Sequence, residues 1–347
     1  TFIKDFYFWY FMGKIKNVLG ILILFFLLLF VLKDINFYEV YLLISQAKIG
    51  WFLLAILATG LTFVSTVFNW KNIFAGFLKF DFFYFMKVTL AGAFFNTVTP
   101  AAGVGGEPFR AHYLASKYGK SKSEVFGGVI ADSFFRMLVL FLFVLFSICF
   151  VFFYVPIPSS LKWILFGVLC FVFLSSFIVF YIIFQKSRSN WKTFFRKVYW
   201  LKFLKRRFET EEIFIDYLRV KFHSFYGSFE KILKNKKTFF IGVLFGILFW
   251  AGNFFTAYFL FFAFGGHLNF LSIIIVFTLG QIIGNLSPVP GGMGIVESIM
   301  TLLYTVMGVP PPLALLVGFL QRIIYYFYSL FLGGISLVNL KILVAKL

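Results

Sequence analysis

Residues 100–107 read Pro-Ala-Ala-Gly-Val-Gly-Gly-Glu, and residues 290–297 read Pro-Gly-Gly-Met-Gly-Ile-Val-Glu. Each string interrupts a long apolar stretch, 82–115 in the first case and 271–307 in the second. Proline removes a backbone donor, and clustered glycines let the chain turn. Both stretches are therefore expected to form two helical arms, with tips at Pro100 and Pro290. The tips share their surroundings: Asn96 or Asn285 precedes, Gly105 and Gly106 or Gly291 and Gly292 sit in the string, and Glu107 or Glu297 ends it. Each hairpin follows a span containing an asparagine, Asn69 or Asn253, and precedes a span carrying an arginine, Arg136 or Arg322.

Composition sets the solvent in which these hairpins fold. Of 347 residues, 61% are hydrophobic and only 13% charged, against about a quarter charged in a soluble domain. No soluble interior hides 58 Phe and 17 Tyr, so most aromatic rings are expected to face lipid. Apolar runs reach the ~20 residues that cross a bilayer as a helix, and the ten-residue alternation of a membrane barrel is absent. The fold expected is an all-α polytopic membrane protein, a single transmembrane domain over 1–347. Full spans fall near 17–32, 51–70, 125–153, 162–184, 238–264 and 313–338, with an amphipathic stretch at 36–49.

Charge supplies the topology. Residues 185–237 hold 15 Lys/Arg against 5 Asp/Glu, and 204–233 within them reads as an amphipathic helix. Positive residues mark the cytoplasmic side. With this loop inside, counting spans puts 25 Lys/Arg in the cytoplasm and three outside (Lys33, Lys48, Lys162), with Lys87, Arg110, Arg136 and Arg322 at membrane depth. Both termini are then cytoplasmic, in the plasma (inner) membrane. Residues 79 and 117 fall on one side, so 82–115 enters and leaves on that side as a re-entrant hairpin. Residues 271–307 do the same from the other side. The order span, hairpin, span thus occurs twice, at 51–153 and 238–338, in opposite directions. Inverted repeats with paired broken helices are a transporter architecture, with the substrate at the repeat interface.

The net charge of +19 is a topology and lipid-surface signal, so no nucleic-acid partner is expected. Cys149 and Cys170 fall in apolar segments, the three histidines lack ligand spacing, and no nucleophile has a base nearby. Neither cofactor, metal nor catalysis is expected. Charges in hydrocarbon are expensive, yet Glu107, Arg110, Asp132, Arg136, Glu297 and Arg322 lie in that zone, three acids against three bases. One expectation is structural: Glu107 neutralises Arg136, and Glu297 neutralises Arg322. The other is functional: the guanidinium groups hold a phosphate, helped by backbone N–H groups at the glycine-rich tips. In that case the acids balance the arginines and take protons when the site is empty.

Residues 96–110, Asn-Thr-Val-Thr-Pro-Ala-Ala-Gly-Val-Gly-Gly-Glu-Pro-Phe-Arg, and 288–297, Pro-Val-Pro-Gly-Gly-Met-Gly-Ile-Val-Glu, resemble the two signatures of the lysylphosphatidylglycerol synthase transmembrane-region family, also called flippase-like or UPF0104. Arg136 and Arg322 fit the same pattern. The resemblance implies an integral inner-membrane protein that moves lipids between leaflets. The C-terminal synthase domain of bifunctional relatives is not expected, since the sequence ends at Leu347 just past the last span. The expected function is a flippase or scramblase for a phosphate-bearing lipid: anionic, aminoacylated or polyprenyl-linked. The alternatives are a transporter of a small soluble anion and a scaffold for a lipid-modifying enzyme partner.

Overall fold

The computed structural model describes residues 36–99, 105–154, 163, 167, 210–285 and 292–344. Among them every regular element is helical: α1 Phe37–Ser45, α2 Ile49–Ile73, α3 Phe82–Val98, α4 Glu107–Tyr118, α5 Lys122–Tyr154, α6 Glu211–Lys234, α7 Lys236–Ala263, α8 Phe270–Asn285, α9 Ile295–Val306 and α10 Pro311–Tyr326. A π-helical segment, Phe327–Leu332, then joins α10 to α11, Gly333–Val344. Among the described residues four helices are long and apolar enough to cross a bilayer: Ile49–Ile73, Lys122–Phe153, Lys236–Ala263 and the continuous run Pro311–Leu340. They coincide with four of the expected spans. The spans near 17–32 and 162–184, and most of the basic loop before residue 210, lie outside the described residues.

Small residues decide how closely these helices approach, because lipid gives apolar side chains no reason to prefer one another. The most extensive pairing is α2 on α7. A methyl group placed on Gly252 would lie 2.7 Å from the Ala58 carbonyl oxygen. At the same seam the Thr59 and Thr256 hydroxyls are 2.9 Å apart. In the first broken segment α3 packs on α4 through Gly106, whose added Cβ would stand 2.0 Å from the Gly92 carbonyl oxygen. In the second, α8 packs on α9 through Gly284, where a Cβ would stand 2.0 Å from Val296 Cγ2. Gly292 has φ +65 and Gly294, which caps α9, has φ +79. Both conformations favour glycine. The two interrupted segments are thus each a pair of short helices in contact.

The π-helical turn is a feature the sequence did not announce. Just beyond it Gly333 meets α3 backbone to backbone, its added Cβ lying 2.6 Å from the Leu90 carbonyl oxygen. α6 overlaps the amphipathic stretch read at 204–233, of which 204–209 lie outside the described residues. It is capped by Thr210, whose hydroxyl accepts from Ile213 N, with Glu211 and Glu212 in its first turn and Lys231 and Lys234 in its last. This placement suits the helix dipole. Phe214, Phe229 and Ile232 are buried, and α6 lies along α5, where Gly127 lets the Phe225 carbonyl approach.

Asp81 ties the outer ends of the first broken pair. Its carboxylate caps α3 by accepting from Tyr84 N at 3.0 Å, and its Oδ2 is 2.6 Å from Lys117 Nζ of α4. The hydrogen bond from Lys117 holds the Asp81 carboxyl below its ordinary value, against a smaller opposing effect of burial. A carboxyl lowered by folding stabilises the protein above its unfolded value, and that contribution is lost as pH falls through the folded value. Both groups are partly exposed, so the pair is worth at most ~1 kcal/mol. Asp81→Asn is expected to lower Tm in detergent slightly near pH 7. The gap from wild type should narrow as pH falls below the ordinary aspartate value of about 4 and close only once pH has fallen through the lowered folded value.

Candidate functional site

The six charges that the sequence places in hydrocarbon converge on the middle of the molecule. Glu107, Arg110, Asp132, Glu297 and Arg322 are all buried, and Arg136 is nearly so. On α4, Arg110 Nη1 is 3.1 Å from Glu107 Oε1, and Nη2 donates to the Thr89 carbonyl at 3.4 Å. The Arg110 side chain passes over Gly92, where a Cβ would stand 2.1 Å from Nε. On α5, Arg136 Nη2 is 3.1 Å from Asp132 Oδ2 and 4.0 Å from Glu107 Oε1, and it donates to Ser133 Oγ at 3.0 Å. Asp132 is itself held by Asn69 Nδ2 of α2 at 2.7 Å. On α10, Arg322 Nε is 3.3 Å from Glu297 Oε1 of α9. Arg322 Nη2 donates to the Tyr326 hydroxyl, which donates in turn to the same Glu297 oxygen, each at 3.2 Å.

The expected Glu297–Arg322 pair is therefore present. The expected Glu107–Arg136 pair is looser, because each partner has a nearer one on its own helix. Glu107 and Arg110 are i,i+3, and Asp132 and Arg136 are i,i+4, spacings that place side chains on one helical face. The rings are not all spent on lipid. Arg110 lies over Trp70 at 5.9 Å, Arg136 over Phe249 at 5.2 Å and Arg322 over Tyr326 at 5.1 Å, within cation–π range.

These groups surround a cavity of about 200 Å³. Arg110 and Arg136 enter its wall from α4 and α5, and Arg322 enters from α10. Asn96, Glu107 and Gly292 line it too, whereas Asp132 and Glu297 stand behind their arginines. Asn96 also closes the α3–α4 junction, its side-chain oxygen accepting from Gly106 N. With Pro108 lacking an N–H, this withdraws two first-turn donors of α4 from any ligand. Gly105 and Gly106 act as close-packing positions against Thr99 and Gly92. Asn285 is the last residue of α8, and Pro100, Pro290 and Gly291 lie outside the described residues.

Several lining residues were not singled out in the sequence: Thr62, Thr66, Thr89, Ser133, Trp250, Gln281 and Gln321. The two glutamines carried a usable signal, an amide inside an apolar span. Gln321 Nε2 donates to the Asn253 carbonyl at 2.8 Å. Its Oε1 is buried with no hydrogen-bond partner among the described residues, as are Thr89 Oγ1, Glu107 Oε2 and Arg110 Nε. Among the described residues no group of His, Cys, Asp and Glu could hold a metal ion.

Bilayer-length apolar helices around a cavity lined by Glu107 and three arginines define an integral membrane protein with a charged site among its helices. The sequence matches the lysylphosphatidylglycerol synthase transmembrane region over residues 17–333, and the chain belongs to that family. It is 27% identical over 314 residues to a UPF0104 membrane protein of Pyrococcus horikoshii, covering 88% of this chain and 91% of that one. It is also 29% identical over 243 residues to a UPF0104 membrane protein of Methanothermobacter thermautotrophicus, covering 68% and 69%. A third such protein, from Methanocaldococcus jannaschii, is 24% identical over 277 residues, covering 79% and 76%.

Proposed function

We propose that this protein is a flippase or scramblase that carries a phosphate-bearing lipid between leaflets, with the phosphate held by Arg110, Arg136 and Arg322. The observation that carries this reading is the single cavity into which arginines from both halves of the sequence project. Guanidinium groups match phosphate oxygens in geometry and stay charged when buried. Amides and hydroxyls around them suit the rest of a polar headgroup.

In this reading 51–153 and 238–338 are inverted repeats, and 82–115 and 271–307 are re-entrant hairpins meeting at the cavity. Rocking of one repeat against the other presents the headgroup to alternate sides. The close α2–α7 seam and the paired arrangement of Glu107 and Glu297 beside arginines support the repeat. Both termini and the basic segment 185–237 face the cytoplasm of the plasma (inner) membrane. There the basic residues gather anionic lipid, at ~1 kcal/mol for each one near the surface. An enzyme that makes or consumes the lipid is the partner this role calls for.

Leaflet exchange in proteoliposomes tests the proposal. Neutral, zwitterionic, anionic and polyprenyl-phosphate lipids carrying a reporter are compared with protein-free vesicles and with folded Arg322→Gln. Anionic lipids are expected to exchange faster, and the variant is expected to lose most of that gain. If folded wild type accelerates none of them, the role fails, and uptake of a soluble anion becomes the reading to pursue.

A further inference from the structure

The cavity holds an arithmetic that a bound phosphate disturbs. Its three guanidinium groups are matched by Glu107, Asp132 and Glu297, so among the described residues the empty site is neutral. A phosphate diester adds one negative charge to a place where unbalanced charge is costly. It also competes for the donors that hold the three carboxylates, each of which keeps one neutral donor when its arginine turns away. Asp132 keeps the amide of Asn69 at 2.7 Å. Glu297 keeps the Tyr326 hydroxyl at 3.2 Å. Glu107 shares one oxygen among Arg110 at 3.1 Å, Arg136 at 4.0 Å and the Ser133 hydroxyl at 3.1 Å. Its other oxygen, Oε2, is buried with no hydrogen-bond partner among the described residues, and so are Asp132 Oδ2 and Glu297 Oε2. Of the three carboxylates, only Glu107 lines the cavity itself.

We propose that a phosphate diester enters this cavity together with one proton, and that Glu107 Oε2 takes that proton. This rests on the reading of the cavity as a phosphate site and adds the ion that travels with the phosphate. When the arginines turn to the ligand, Glu107 keeps the Ser133 hydroxyl alone. A proton from water on the side of entry neutralises it, and the site returns to zero net charge. When the ligand leaves, the arginines return to Glu107 and the proton departs on the same side as the ligand. The proton thus accompanies the filled site, where the expectation from sequence placed it on the empty one.

The groups that meet Glu107 are Arg110 on its own helix and Ser133 and Arg136 on α5, while Asp132 on α5 and Tyr325 on α10 act on Arg110 beside it. On α3, Lys87 lies toward Asp81 at the outer end, and the one ionisable residue of α11 is Lys341 in its last turn. No second acid among these lines the cavity to share the proton.

The test is a proton count on binding, which does not depend on transport. The full chain in detergent is titrated calorimetrically with short-chain phosphatidylglycerol, in buffers of differing ionisation heat. Wild type is expected to take up about one proton per lipid bound, and Glu107→Gln to bind with about none. Infrared difference spectra of wild type provide a check that does not depend on the variant folding: lipid is expected to bring up a protonated-carboxyl carbonyl band. Dimethyl phosphate, a soluble diester, is titrated in parallel. If it binds as tightly with the same proton, the coupling stands and the natural ligand is a soluble anion. Lipid that binds with its proton yet never crosses in proteoliposomes sinks the flippase role and leaves this inference standing. Binding with no proton and no new band overturns it, as does a proton still taken up by Glu107→Gln. Absence of binding by either diester overturns both this and the phosphate reading.

Discussion

Arg322→Met is expected to cost about 3–5 kcal/mol of stability, and adding Glu297→Met is expected to return most of that loss. The single change leaves Glu297 buried with only the Tyr326 hydroxyl donating to it, an uncompensated charge in a low-dielectric interior. The double change removes both charges and fills the space with apolar atoms, which at buried pairs is often neutral or better. Unfolding in detergent, followed by heat or denaturant, reads the two values directly. The pair of variants also separates scaffold from function. A double variant that is as stable as wild type but exchanges no anionic lipid places Arg322 on the lipid path. One that is stable and still active confines the arginine to holding α9 on α10. If the double variant stays as unstable as the single one, the ion pair is not what Arg322 contributes.

Gly106→Ala is expected to be strongly disruptive for a single added methyl, at about 3 kcal/mol. The new carbon would stand 2.0 Å from the Gly92 carbonyl oxygen and 2.7 Å from the Gly92 carbonyl carbon. These are backbone atoms of a helix, with no rotamer to yield, so α4 must move away from α3. The Asn96–Gly106 hydrogen bond goes with it, and so does the register that brings Arg110 over Gly92. A large fall in Tm and loss of lipid binding are expected together. Gly227→Ala is the matched control: it lies within α6 with nothing within 4 Å of the added carbon, and helix propensity alone should leave it neutral or slightly stabilised. Equal effects at the two positions would mean that the α3–α4 contact is not what Gly106 provides.

The elements with a strong periodic or compositional signature were readable in advance. The span read at 51–70 is the middle of α2, the one at 125–153 falls within α5, and the amphipathic helix ends where α6 does. Bilayer thickness and hydropathy set those, and neither depends on tertiary partners. The buried charges were legible for the same reason, since a Glu or Arg in hydrocarbon stands out against its neighbours. Their pairing was only half legible. Glu297–Arg322 could be inferred from parallel motifs, but the competition between Arg110 and Arg136 for Glu107 is decided by distances that sequence spacing does not contain. Thr62, Thr66 and Thr89 stayed hidden because threonine in a membrane helix bonds its own backbone equally well, as Thr62 and Thr66 do here.

The wide turn at Phe327–Leu332 gives the last span a property that a uniform α-helix would lack. Upstream, Arg322 must aim at the cavity; downstream, Gly333 must lie flat against the backbone of α3. A π-turn is a local insertion of one residue, and one residue is about 100° of rotation about the helix axis. The turn therefore works as a slip joint in a rotating shaft, letting each end of the span keep the azimuth its own neighbours require.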